Sequence, residues 1–172
     1  FCTQKDLTPI EFVDNNNIPQ GFSIDTLNLI KPKLDILFNH VSTTSYTQSI
    51  NFLKNKKCDI ITAVENDELV SKFANISSPY LNYKLAIITS KDKAVVSSLE
   101  DFKSQTLSIK ENSSITKYIK SNYPGIKILE TKNNHDSLKY INNDLSYFTL
   151  SPIPIASHYL SNFALTNLYI SR

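Results

Sequence analysis

Residues 9 to 30 read PIEFVDNNNIPQGFSIDTLNLI and include Gly21, one of only two glycines in the 172-residue chain. An apolar pattern with helical spacing, at Ile24, Leu27 and Ile30, follows that glycine directly. A chain that leaves a strand and reverses into a helix needs a residue with positive φ, which glycine adopts without a steric penalty. We therefore predict a tight strand-to-helix turn at Gly21.

Two polar residues in the first turn of this predicted helix suit a helix start. The Ser23 hydroxyl can cap a free backbone amide, and the Asp25 carboxylate faces the positive end of the helix dipole. Pro32 cannot continue a helix, because its ring removes a donor and clashes with the preceding turn. We expect a helix over residues 24–31 that ends or bends at Pro32.

The composition is that of an ordinary globular protein. Apolar residues make up 41% of the chain, aromatic residues 10% and charged residues 20%, which excludes collagen-like, disordered and coiled-coil classes. The net charge of +2 gives no footprint for nucleic acid, and no aromatic residue is interleaved in the basic cluster Lys54, Lys56 and Lys57. The sequence has no apolar run approaching the roughly 20 residues of a membrane span. We expect any signal or anchor of the natural protein to lie outside this sequence.

Short apolar runs alternate with segments of helical periodicity, which is typical of α/β folds with parallel sheets. The predicted strands are residues 1–4, 36–43, 58–64, 83–90, 106–110, 126–130, 145–150 and 165–171. The predicted helices are residues 24–31, 45–54, 98–102, 114–123 and 135–143, with a further one opened by Pro154. We therefore predict an α/β fold of two units joined near residues 89–93.

The chain has two cysteines, Cys2 and Cys58, and each falls at the start of a predicted strand. If those strands are parallel neighbours, the thiols lie at the same level, and an oxidising compartment could join them in a disulfide. Two buried free thiols are the alternative. Their spacing is unlike that of a metal site.

Several blocks of the chain resemble the type 2 periplasmic solute-binding proteins (bacterial extracellular solute-binding family 3). Residues 9–30 resemble the opening Pro-x-Glu-Phe, polar turn and Gly-Phe-x-x-Asp-Leu block of that family. Residues 45–64, 74–92 and 98–130 resemble its later blocks in the same order. The resemblance runs from Cys2 to about Tyr159, and it is strongest to members that serve as extracytoplasmic sensor domains of histidine kinases and diguanylate cyclases.

This resemblance implies a two-lobed periplasmic-binding-protein-like (type 2) fold with a ligand cleft that closes by hinge motion. Lobe 1 is expected over residues 1–89 and lobe 2 over residues 90–172. In the family the chain then returns to complete lobe 1. We expect that return segment to be absent here or to lie beyond the chain end.

Family members that bind amino acids hold the carboxylate with an arginine, the ammonium with an acid, and the side chain against an aromatic residue. At the arginine position stands Val70, with Lys72 as the nearest cation. Ser151 stands at the position of the acid and Leu7 at that of the aromatic residue. Valine cannot donate the bidentate hydrogen bonds that a carboxylate needs, and a lysine offers only a point charge. We therefore expect a small-molecule ligand that is not a common α-amino acid.

Two further features are candidates for ligand contact. Asn112, Ser113 and Ser114 precede a predicted helix and could present hydroxyls and free amides, although simple capping of the helix is the alternative. Glu65 follows the predicted strand 58–64, at the strand edge where α/β sheets bind ligands. It is a candidate ligand contact or general acid, with a solvated loop acid as the alternative.

Other chemistry has little support in the sequence. His40, His135 and His158 are scattered without metal-site spacing, so we expect no metal, no cofactor and no catalytic residue. The favoured function is an extracytoplasmic (periplasmic) ligand sensor that signals to a membrane-bound enzyme, either a partner or the remainder of the same chain. The alternatives are a free solute-binding protein of a transporter, an enzyme such as a dehydratase or peptidoglycan-cleaving protein on the same fold, and a domain that contacts a partner protein.

Overall fold

The computed structural model describes residues 1–65, 68–94 and 98–171. The chain divides into two compact units, Phe1–Tyr80 and Leu81–Arg172. The sequence placed the lobe boundary at residue 89, but β4 (Leu85–Ser90) pairs with two strands of the second unit. Among the described residues, no helix is both long and apolar enough to cross a membrane.

Within its described residues, the first unit contains a small antiparallel sheet and three short α-helices. The strands are β1 (Asp6–Leu7), β2 (Glu11–Val13) and β3 (Pro19–Gln20), paired in the order β1-β2-β3. The helices are α1 (Phe22–Ile30), α2 (Tyr46–Lys54) and α3 (Glu68–Ser71), and a 3-10 turn at Lys31–Lys33 follows α1. Pro32 therefore ends the first helix, as predicted. The antiparallel sheet, in contrast, was not predicted.

Gly21 makes the turn that the sequence predicted. Its φ is 106°, and it is the N-cap of α1. The amides of Phe22 and Ser23 donate to the carbonyl oxygens of Pro9 and Ile10, at 3.3 and 2.9 Å. The backbone of Gly21 thus lies directly against the turn between β1 and β2, where a Cβ atom would come 2.7 Å from the Ile10 oxygen.

Cys2 lies at the centre of a minimal parallel arrangement. It forms single parallel bridges with Val41 on one side and Ile61 on the other, so the predicted strands 36–43 and 58–64 are each reduced to one bridge. Leu37 is 93% exposed, and residues 36–40 form no strand. Cys2 is bonded to Cys58 with a Cα–Cα distance of 5.9 Å, which decides between the two alternatives that the sequence left open. Cys58 itself lies outside a strand.

A small apolar cluster packs under α1. It consists of Phe1, Ile24 and Leu27, with the half-buried Phe38 against it. Ile30 was expected on the same face but is 43% exposed, because the helix ends at that residue.

The second unit is built on a five-stranded mixed sheet in the order β6-β5-β7-β4-β8. Besides β4, its strands are β5 (Thr106–Lys110), β6 (Lys127–Thr131), β7 (Phe148–Pro152) and β8 (Leu168–Ser171). β5 is parallel to β6 and β7, whereas β4 is antiparallel to β7 and β8. The α/β class is thus confirmed, but the sheet is mixed where parallel pairing was expected.

Helices flank this sheet at the predicted places. They are α4 (Ser114–Asn122), α5 (Asn134–Asn142) and α6 (Ile153–Asn162), with a 3-10 turn at Leu99–Phe102. Phe102 and Phe148 stack with ring centroids 3.9 Å apart, and both side chains are fully buried. They are the largest members of the apolar core, together with Leu107, Ile109, Ile119, Ile126 and Leu150.

The two glycines provide a matched test of the first turn. We predict that Gly21→Ala lowers the free energy of unfolding by about 2 kcal/mol or more, because alanine at this φ is strained and its Cβ clashes with two carbonyl groups. Gly125→Ala should change it by less than about 0.5 kcal/mol, because the nearest atom would be 3.9 Å away. Urea unfolding measures both, and equal effects would contradict the role assigned to Gly21.

Candidate functional site

A buried carboxyl group stands at the centre of a polar network in the first unit. Glu11 on β2 is 0% exposed. Its Oε1 accepts a hydrogen bond from the backbone amide of Gln4, and its Oε2 accepts one from the Thr62 hydroxyl. Within the described residues, no lysine, arginine or histidine pairs with it. Neutral groups alone therefore satisfy this carboxyl.

Three more side chains extend the network. The Gln4 side-chain amide donates to the Ala63 carbonyl at 2.7 Å. The Tyr80 hydroxyl donates to the Thr62 carbonyl and lies 2.9 Å from Ser23 Oγ. Ser23 was predicted to cap α1, but it makes no capping bond there. Its buried hydroxyl instead contacts Tyr80.

Burial dominates the electrostatics of this network. Desolvation raises the pKa of Glu11 from 4.5 to about 7, although the bonds from Thr62 and Gln4 act in the opposite direction. Burial also raises the pKa of Tyr80; the Ser23 hydroxyl opposes this shift, and the nearby Glu11 charge adds to it. The carboxyl of Glu11 therefore changes its protonation state near neutral pH.

The candidate ligand residues of the first unit occupy different environments. Leu7 lies on β1 opposite Glu11 in the strand register and is buried. Glu65 is half-buried and follows the Thr62–Ala63 segment of the network. Val70 is buried in α3, and Lys72 is exposed just after that helix. Leu7 and Glu65 thus both adjoin the network.

The candidate residues of the second unit have local structural roles. Ser113 caps α4, since its hydroxyl accepts a bond of 3.1 Å from the Thr116 amide. Asn112 is exposed with a φ of 58°, and Ser114 is the first residue of the helix. Ser151 is buried in β7 and donates to the Pro152 carbonyl at 3.4 Å. A role of these four residues in ligand binding remains a prediction.

Each of the three histidines contacts neighbours within its own unit, and the rings of His135 and His158 both lie against Tyr159. His40 Nε2 is 2.9 Å from Thr3 Oγ1, and the His135 ring stacks on Tyr159 at 5.1 Å between centroids. In the described ranges, no three His, Cys, Asp or Glu side chains come close enough together to hold a metal ion.

The lysine cluster has aromatic neighbours that its sequence did not reveal. Lys54 Nζ lies 4.7 Å from the ring centroid of Phe73, and Lys57 Nζ lies 5.2 Å from that of Phe52. These distances are within the range of cation–π contacts. The two ammonium groups are thus already engaged with rings of their own unit.

The fold has well-matched counterparts among solved structures. The BvgS periplasmic VFT2 domain of Bordetella pertussis superposes with a TM-score of 0.89 at 18% identity, over 99% of this chain and 72% of that chain. A histidine kinase sensor domain with similarity to periplasmic binding proteins gives 0.88 at 16% identity, over 99% and 74%. An ancestral arginine-binding protein bound to glutamine gives 0.84 at 22% identity, over 98% and 75%. The fold is therefore that of the periplasmic binding proteins, and these counterparts are binding or sensor proteins.

The sequence match makes the class more specific. Residues 1–149 match the family of bacterial extracellular solute-binding proteins, family 3. The chain belongs to that family, which confirms the resemblance found in its sequence blocks.

A shorter likeness involves a much larger protein. Over 77 residues, or 45% of this chain, it is 32% identical to Probable polyketide synthase 5 of Dictyostelium discoideum, but the match spans 3% of that protein. The likeness therefore concerns a small part of that protein.

Sequence reasoning missed Glu11 as a functional candidate, although its setting held a signal. The residue sits in TPIEFV, a charged side chain inside an apolar stretch next to a predicted turn. Such a residue on a strand is buried or exposed according to the strand's register, which the sequence alone did not define. Its partner Thr62 lies 51 residues away in the sequence, so only the fold brings the network together.

We predict that the free energy of unfolding depends on the protonation state of Glu11. The folded-state pKa of about 7 lies above the ordinary value of 4.5, so the folded state binds this proton more tightly than the unfolded state. The free energy of unfolding should therefore fall by up to about 3 kcal/mol, mostly as pH rises from 4.5 to 7, with a slope that fades within about one pH unit on either side. Urea unfolding at several pH values measures this slope.

Two substitutions isolate the contribution of Glu11. Glu11→Gln stands for the protonated acid and should remove its part of the slope. Asp35→Asn makes the same chemical change at an exposed site and should leave the slope as it is. The prediction fails if wild type and Glu11→Gln show the same dependence on pH.

Proposed function

We propose that this chain is the extracytoplasmic ligand-sensing domain of a bacterial membrane signalling protein of the histidine kinase or diguanylate cyclase type. Membership of the solute-binding family over residues 1–149 is the observation that carries ligand binding. The sensor role is supported by the fold shared with two sensor domains. The Cys2–Cys58 disulfide fits an oxidising, extracytoplasmic compartment.

A free solute-binding protein of a transporter is the alternative. It is favoured by the fold shared with an arginine-binding protein of T. maritima, which has a TM-score of 0.83 at 24% identity. Fractionation of the natural full-length protein in its own cells separates the two proposals. A sensor stays in the membrane fraction without an N-terminal lipid, whereas a transport protein is released by osmotic shock or carries such a lipid.

We propose that the ligand contacts are the residues that the family resemblance identifies, together with Glu65, which follows the predicted strand 58–64. In the first unit they are Leu7, Glu65, Val70 and Lys72, and in the second unit Asn112, Ser113, Ser114 and Ser151. Val70 is an apolar residue and is buried in α3. It can offer no hydrogen bond to a ligand carboxylate, so a neutral polar or apolar ligand fits this set better than a zwitterion.

We predict that no common α-amino acid binds with micromolar affinity. Moving a carboxylate and an ammonium out of water costs several kcal/mol per ion unless each is paired and hydrogen-bonded. A helix N-terminus such as that of α4 contributes only about 0.3 to 1 kcal/mol to a nearby charge. Isothermal titration calorimetry with each of the twenty amino acids measures the affinities.

Amino acids could still bind if a lysine paired with the ligand carboxylate and an acid paired with the ligand ammonium. Lys72 and Glu65 are the cation and the acid among the proposed contacts of the first unit. A clear micromolar isotherm that is weakened by Lys72→Ala or Glu65→Ala would show that the site binds amino acids after all.

A further inference from the structure

The segment from Thr62 to Glu65 is held by side chains more than by strand pairing. Its neighbour Ile61 makes the single parallel bridge to Cys2. Beyond that bridge, the Thr62 carbonyl is bonded by Tyr80, the Ala63 carbonyl by Gln4, and the Thr62 hydroxyl by Glu11. Three distant parts of the chain therefore fix the course of this segment.

Glu11 connects both candidate ligand residues that adjoin the network. Through the strand register it lies opposite Leu7 on β1. Through its bond with the Thr62 hydroxyl it holds the start of the segment that carries Glu65. A shift of the Glu11 carboxyl would therefore be transmitted first to Thr62, at the start of the segment that carries Glu65.

Protonation of Glu11 changes which hydrogen bonds its carboxyl oxygens can donate or accept. When it is ionised, the carboxylate can only accept hydrogen bonds, here from the Gln4 amide and the Thr62 hydroxyl that contact its two oxygens. A protonated carboxyl has one O–H donor, and the Gln4 amide can only donate. That donor is therefore directed at Thr62 Oγ1, whose own proton must then turn to another acceptor.

We propose that Glu11 is a positioning residue for the ligand segment, defined here as residues 62–65, and that gain or loss of its proton alters that segment through Thr62. This inference rests on the proposed function in one respect, since the segment is called ligand-binding because Glu65 is a proposed ligand contact. The groups around the carboxyl are the Gln4 amide, the Thr62 hydroxyl and, as the nearby titratable group, the Tyr80 phenol. Burial raises the pKa of Glu11 to about 7, which puts the change in the physiological range.

Nuclear magnetic resonance on the whole ¹⁵N-labelled chain tests this proposal with the proton itself as the probe. Between pH 5 and 8.5, the amide shifts of residues 62–65 should titrate together with a midpoint near 7, the pKa of Glu11. Glu11→Gln should abolish this titration, while Asp35→Asn should preserve it. Amides that do not titrate near 7, or that titrate unchanged in Glu11→Gln, would overturn the proposal.

A pair of substitutions at Thr62 tests the route. Thr62→Val keeps the shape but removes the hydroxyl, and it should reduce the titration amplitude at Ala63 and Glu65 at least about twofold, because the shared hydrogen bond is lost. Thr62→Ser retains a hydroxyl and should retain the amplitude. A purely structural role for Thr62 would give equal amplitudes in both variants, and that result would overturn the route through Thr62.

The outcome is separable from that of the proposed function. If solutes fail to bind while the segment titrates through Glu11, the sensor proposal fails and the positioning role stands. If a ligand binds but the amide shifts of residues 62–65 do not titrate with Glu11, the positioning role fails. The Thr62 pair keeps the test decisive even if Glu11→Gln does not fold.

Discussion

No cation pairs with the buried carboxyl group of Glu11 in the part of the chain that the structure describes, and neutral groups from separate segments of the first unit satisfy it. An unpartnered buried carboxylate would cost several kcal/mol, so the Gln4 amide and the Thr62 hydroxyl must stay in place. These two groups belong to segments that are otherwise joined by single bridges at Cys2. The network and the Cys2–Cys58 disulfide thus replace much of the regular pairing that a larger sheet would supply.

The second unit holds its strands together and satisfies its buried polar groups in a different way. Its five strands form regular ladders around an apolar core that includes the stacked rings of Phe102 and Phe148. Its buried hydroxyls are satisfied locally: Ser146 donates to Ser108 at 2.7 Å, and Ser108 donates to the Ser137 carbonyl at 2.8 Å. Since none of these groups ionises near neutral pH, we expect this cluster to be insensitive to pH.

The sequence predicted the features that local chemistry determines. Gly21 has the positive φ that its position required, Ser113 caps α4, and β5 has the predicted bounds. The α/β class and the family resemblance are confirmed as well. Each of these depends on a few neighbouring residues or on a block pattern, so a single sequence is enough to reveal it.

Features that depend on distant partners were missed or wrong. Strand 58–64 was predicted from its β-branched residues, but the carbonyls of Thr62 and Ala63 are bonded by side chains and form no ladder. The sequence pattern indicated sheets rich in parallel pairs, but β7 and β8 run antiparallel to β4. Strand direction and the burial of Glu11 are set by tertiary contacts, which leave no local pattern in the sequence.

Glu11 is buried among neutral partners, and its carboxyl therefore gains and loses its proton near neutral pH. The most direct test is to follow the ¹³C shift of the Glu11 side-chain carboxyl by nuclear magnetic resonance as the pH is changed. The account predicts a single transition with a midpoint near 7. A midpoint near the ordinary value of 4.5 would show that the carboxyl is solvated or paired with a cation, and would contradict the account.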